Sequence, residues 1–179
     1  MPSGKTKVQY EAGARGAILE RLVLDANIFF DLDKGQILGL IFRLDCEYAV
    51  TDFVADELKS LRVDYLKQLG LQIMELDGGQ IEELRGLRAT YPAPGIKDLS
   101  ALVLAHTIGC RLVTRDGALG AAARAEGVTV LSTLELIDEM VDTGVLSPAD
   151  AADALEEILR RRPGFPRAES QRRIHKWRG

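Results

Sequence analysis

Four acidic side chains, Asp25, Glu57, Asp98 and Asp116, stand where an alternating strand and helix pattern would gather carboxylates. Asp25 closes the short apolar run Leu22-Val23-Leu24, and Asp116 follows a second such run, Arg111 to Thr114. Open α/β sheets bind their ligands beyond the carboxyl ends of the strands. Carboxylates held close together repel one another, and their pKa values rise unless a cation compensates. Hard oxygen donors of this kind suit Mg²⁺ or Mn²⁺ better than zinc. Such an ion lowers the pKa of a bound water, which is the chemistry a carboxylate cluster of this kind could support. Taken one at a time, each acid reads as readily as something plainer. Asp25, Asp98 and Asp116 suit helix N-caps or turns, and Glu57 suits a solvated helix face.

The elements around these acids can be read from periodicity. Leu22–Leu24, Cys46–Thr51, Leu71–Leu76, Arg111–Thr114 and Val128–Leu131 read as strands. Gln36–Leu44, Phe53–Leu61, Ile81–Thr90, Leu99–Ile108 and Ala118–Ala125 have helical spacing. Gly78-Gly79, the loop Tyr91-Pro-Ala-Pro-Gly95 and Gly127 break the chain between them. Ser132 with Glu135 makes a capping box, and Ser147-Pro148 opens another helix. This alternation predicts an α/β fold with right-handed crossovers and a parallel sheet covered on both faces. A helix from Asp98 descends about 15–18 Å. The strand after it climbs back about 13–17 Å. Asp98 and Asp116 are therefore expected at one edge. Glu57, about one and a half turns into its helix, can lean over the same edge.

The 179 residues are 46% hydrophobic and 28% charged, ordinary globular material with room for one domain. No apolar run reaches the roughly 18–20 residues a membrane span needs. The N-terminus is polar and lacks the apolar stretch of a signal peptide, so a cytoplasmic protein is expected. Cys46 and Cys110 read as reduced, semi-buried side chains. The net charge of −4 is unevenly spread: residues 160–179 carry +7 and residues 1–159 carry −11. The division expected is an N-terminal segment (1–20), a core domain (21–133), a helical extension (134–162) and a basic tail (163–179). Phosphate contacts from Arg172, Arg173 and Lys176, with Trp177 stacking on a base, are one reading of that tail. A solvated terminus is the other.

The segments LVLDANIFFDL (22–32), TDFVADELKSL (51–61) and KDLSALVLAHTIGCRLVTRDGAL (97–119) resemble, in order and spacing, the successive motifs of PIN-domain nucleases. Among these they look most like bacterial and archaeal VapC-type proteins, many of them toxins of toxin–antitoxin pairs. The likeness runs from about Leu22 to Thr133. It implies a three-layer α/β/α fold around a central parallel sheet of about five strands. It also implies Mg²⁺ or Mn²⁺ dependence, single-stranded RNA as the common substrate, and release of a 5′-phosphate and a 3′-hydroxyl. Asp25, Glu57, Asp98 and Asp116 carry over as the acidic quartet. Toxin-type relatives imply a homodimer and a small antitoxin seated at the active-site cleft. Asn27 could orient Asp25 or a phosphate oxygen, Thr114 could hydrogen-bond an acid, and Arg115 could touch the RNA backbone. Each has a structural reading beside it.

Other functions predict different residues. A haloacid-dehalogenase-like phosphatase needs a second Asp two positions after the first, where this chain has Asn27. A signal-receiver domain needs a lysine after a late strand, and Leu131-Ser132-Thr133 offers none. A housekeeping nuclease of RNA processing, or a non-catalytic RNA-binding domain of the same fold, stays open beside the toxin.

Overall fold

Leu22, Val23 and Leu24 have no exposed surface. That is the mark of a central parallel strand covered by helices on both faces. In the computed structural model, which describes residues 19–179, they belong to β1 (Glu20–Leu24). Most of the N-terminal segment expected at 1–20 lies outside the described residues. The other strands are β2 (Cys46–Thr51), β3 (Leu71–Met74), β4 (Arg111–Val113) and β5 (Val130–Leu131). All pair in parallel, in the order β3-β2-β1-β4-β5. The chain first adds strands to one side of β1, then crosses to the other side with β4. A crevice forms at such a reversal, between the carboxyl ends of β1 and β4. The layered α/β architecture and five-stranded parallel sheet expected from the sequence are present.

Nine α-helices surround the sheet among the described residues: α1 (Ala26–Lys34), α2 (Asp52–Ala55), α3 (Val63–Leu69), α4 (Gly78–Thr90), α5 (Ile96–Ile108), α6 (Gly117–Ala125), α7 (Thr133–Asp142), α8 (Pro148–Arg161) and α9 (Arg167–Arg178). In helix α5, Leu99 through Ala105 are buried without a break. It packs across β1, β2 and β4, which fixes its N-terminal turn at the strand ends. The capping box of Ser132 and Glu135 opens α7, with backbone bonds of 3.2 and 2.7 Å. Cys46 and Cys110 are free and half-buried. Among the described residues, no helix is long and apolar enough to cross a membrane.

Helices α1 and α3 were not expected, α4 opens at Gly78 where a break was expected, and three further segments differ. Gln36–Leu44 is not α-helical: Gln36 turns through a left-handed conformation (φ 58°) and Leu38–Arg43 winds as a 3-10 helix. Phe53–Leu61 is split into α2 and a second 3-10 turn, Asp56–Leu61. The tighter winding keeps Leu58 in the core while the chain reverses at the left-handed Arg62. The last segment is neither a loose tail nor a solvated terminus. It forms α9, packed along α8 through Ile174 and Trp177 with Ser170 fully buried. Trp177→Ala is expected to lower the unfolding free energy by about 2 kcal/mol and shift the urea midpoint down accordingly, less than a fully buried aromatic costs because Trp177 is half-buried. An unchanged midpoint would mean α9 rests on α8 without contributing to stability.

Candidate active site

Asp25 leaves the sheet at the end of β1 and is 1% exposed. Its backbone N–H still reaches across to Val113 O (3.1 Å), so the residue is fixed before its side chain does anything. One carboxylate oxygen accepts the Ile28 N–H at 3.3 Å as the N-cap of α1. The other accepts the hydroxyl of Thr114, just past β4. Thr114 Oγ1 also accepts the Asp116 N–H at 3.1 Å. One hydroxyl therefore ties Asp25 to the backbone that carries Asp116. Asp116 N-caps α6 through the Leu119 N–H at 2.7 Å. Asp98, in the first turn of α5, accepts the Gly95 N–H at 2.9 Å.

The cap reading and the site reading of these three acids thus both hold at the level of geometry. Each acid closes a helix start, and the three starts meet at one sheet edge. Burial pushes the Asp25 carboxyl up to about 6, with the charge of Asp98 adding to it against the hydrogen bonds from Thr114 and Ile28. Burial likewise raises Asp98, opposed by the Gly95 N–H and assisted by the charge of Asp116. The acids sense one another in sequence around the edge. They are not drawn into a closed cage: among the described residues, no three acid, His or Cys side chains converge as a ready ligand set. A divalent cation fits the donors present. They are hard oxygens, mutually repelling, and Asp98 Oδ1 and Asp116 Oδ2 accept no hydrogen bond from any described residue.

Glu57 sits at the rim, in the 3-10 turn after α2, with its side chain 37% exposed. Lys97, next to Asp98, lies 3.7 Å from Glu57 and 3.8 Å from Asp56. The starts of α2 and α5 are pinned by buried hydroxyls that sequence reasoning missed. Thr51 and Ser100 hydrogen-bond at 2.7 Å, and Ser100 Oγ donates to Lys97 O at 2.6 Å. Thr51 ending a strand just before a helix was the available signal.

Several expected RNA contacts have other partners. Arg115 donates to Asp31 at 2.7 Å and lies over the Phe165 ring, so it serves a buried ion pair. Arg173 grips both oxygens of Asp138. Arg172 lies 3.8 Å from Glu169. Trp177 packs half-buried against the core. Lys176 is exposed. Asn27 Oδ1 accepts from Arg162 at 3.0 Å. Asp31 was missed altogether. It is fully buried, yet accepts from Arg115, Arg162 (2.8 Å) and Thr133 (3.1 Å).

The family model DUF3368, a PIN domain, matches residues 21–177, from β1 through α9. Among solved structures, a PilT N-terminus domain protein from the hyperthermophilic archaeon Sulfolobus solfataricus P2 is similar, with a TM-score of 0.51 and 14% identity. That likeness covers 68% of this chain and 94% of the other, and at such low identity it speaks for the fold alone. Comparison with curated proteins gives no match.

Proposed function

The chain belongs to the PIN-domain family, and from that premise we propose that it is a divalent-metal-dependent endoribonuclease. PIN domains are generally nucleases and typically use divalent metals. The observation that carries the reading is Asp25, a buried carboxylate raised toward neutrality at the crevice between β1 and β4, with the charge of Asp98 acting on it and that of Asp116 acting on Asp98. A carboxylate buried in a field of like charge is costly when ionised, and a bound cation would offset that cost.

Asp25, Asp98 and Asp116 would hold one or two Mg²⁺ or Mn²⁺ ions. When bound, the metal supplies a water of lowered pKa and neutralises charge on the scissile phosphate. Thr114 fixes the carboxylate of Asp25 and keeps Asp116 in step with it. Glu57, at the rim, would bind a second ion or orient the attacking water. Water adds to phosphorus in line, and the 3′ oxygen leaves with a proton, giving a 5′-phosphate and a 3′-hydroxyl. Asn27, in the first turn of α1, would donate to a phosphate oxygen.

The test is direct. The purified chain should cleave single-stranded RNA with Mn²⁺ or Mg²⁺ and lose that activity in EDTA. RNA left intact by a folded chain with either ion would refute the enzyme and favour a non-catalytic RNA-binding domain. The toxin of a toxin–antitoxin pair, acting in the cytoplasm as a homodimer held by a small antitoxin, is the narrower form of the same proposal, supported by the VapC-like motifs. Growth arrest on expression separates it from a housekeeping role in RNA processing.

A further inference from the structure

Asn27 and Asp31 stand four residues apart on one face of α1, and a single guanidinium spans them. Arg162, which ends α8, donates from Nε to Asp31 Oδ1 at 2.8 Å and from Nη2 to Asn27 Oδ1 at 3.0 Å. Its guanidinium carbon lies 5.9 Å from the Phe30 ring centroid, and Arg115 holds the other oxygen of Asp31. A tie between α8 and α1 would need only the Asp31 arm. The second arm does something else. Only Oδ1 of an asparagine amide accepts, so the guanidinium decides which way the amide faces. Asn27 Nδ2 is turned away from Arg162 and donates to no described residue. It sits in the first turn of α1, two residues beyond Asp25.

We propose that Arg162 is a positioning residue of the active edge: by holding Asn27 Oδ1, it presents Asn27 Nδ2 to a phosphate oxygen of the RNA. The helices after β5 are then part of substrate binding and not an appendage to it. The inference rests on the ribonuclease reading above and deepens it. Lysine in place of Arg162 keeps a charge beside Asp31 but has no planar fork to reach both partners.

The experiment compares Asn27→Ala, Arg162→Lys and the double variant with the parent chain. The readouts are binding of a fluorescein-labelled single-stranded RNA in EDTA, KM and kcat with Mn²⁺, and the urea midpoint. A lost hydrogen bond to a charged oxygen predicts about tenfold weaker binding for each single variant. KM should rise further than kcat falls, and the Arg162→Lys midpoint should stay near that of the parent. The double variant should bind no more weakly than Asn27→Ala alone, because Arg162 acts through Asn27. Losses that multiply in the double variant, or parent-like binding by Arg162→Lys, overturn the proposal. Asn27→Ala leaves the Asp31 arm intact, so unchanged RNA affinity in that variant overturns it even if Arg162→Lys fails to fold. A parent chain that cleaves RNA while the losses multiply sinks this inference alone. A parent chain that neither binds nor cleaves RNA sinks the ribonuclease reading and this inference with it.

Discussion

Asp25→Asn should remove metal-dependent cleavage by at least about a thousandfold, equivalent to about 4 kcal/mol of transition-state stabilisation, while making the metal-free fold more stable. The opposite signs come from one cause. The Asp25 carboxyl rises from 3.8 to about 6 in the folded chain, chiefly through burial. The folded state therefore binds more protons than the unfolded state between those values, and stability falls as pH rises through that window. Above about pH 6 the ionised group costs the metal-free protein about 3 kcal/mol. Asparagine keeps the cap on α1 and can still accept from Thr114, without the charge. Urea titrations of metal-free protein should show stability declining from pH 4 to 6 in the parent and a flatter profile in Asp25→Asn. Metal affinity should fall as pH drops below about 6, because uptake then displaces a proton. A variant that is inactive and also less stable at pH 7 would point to a broken cap and not to a lost ligand.

Asp31→Ala should be the most destabilising single change at the edge, about 3–5 kcal/mol by urea denaturation. Asp31 has no exposed surface and neutralises two guanidiniums, from Arg115 and Arg162, whose side chains are 20% and 23% exposed. Removing the carboxylate leaves both cations half-buried without their common partner, along with the hydroxyl of Thr133. The four proposed catalytic acids are untouched by this change. A loss below about 1 kcal/mol would mean that water replaces Asp31 without difficulty, as it does at exposed ion pairs.

The strands were legible because burial on both faces leaves only short aliphatic runs, and Leu22–Leu24 and Cys46–Thr51 can hardly be read otherwise. The shared edge of Asp25, Asp98 and Asp116 followed from helix and strand rise alone. Helix α1 escaped notice because Asp31 interrupts its apolar face, and a buried acid looks like a turn residue until its arginines are seen. Those arginines lie 84 and 131 residues away, beyond the reach of any local pattern. Helix α9 was hidden by its charge, although Ser170, Ile174 and Trp177 trace a helical stripe through it. In the basic end, acids on neighbouring helices take some of the arginines. Asp138 takes Arg173, and Asp153 and Glu156 take Arg178. Which oxygen of each acid is left over for a ligand is a matter of rotamers, which spacing does not encode.

The long span between Asp31 and Arg162 also has a bearing on when the molecule matures during translation. Ribosomes deliver chains from the N-terminus, so α1 and the strand ends emerge well before the residue that clasps Asn27 and Asp31. A nascent chain can assemble its sheet and still lack that clasp. A nascent chain that has not yet extended past residue 162 lacks the guanidinium that reaches Asp31 and Asn27.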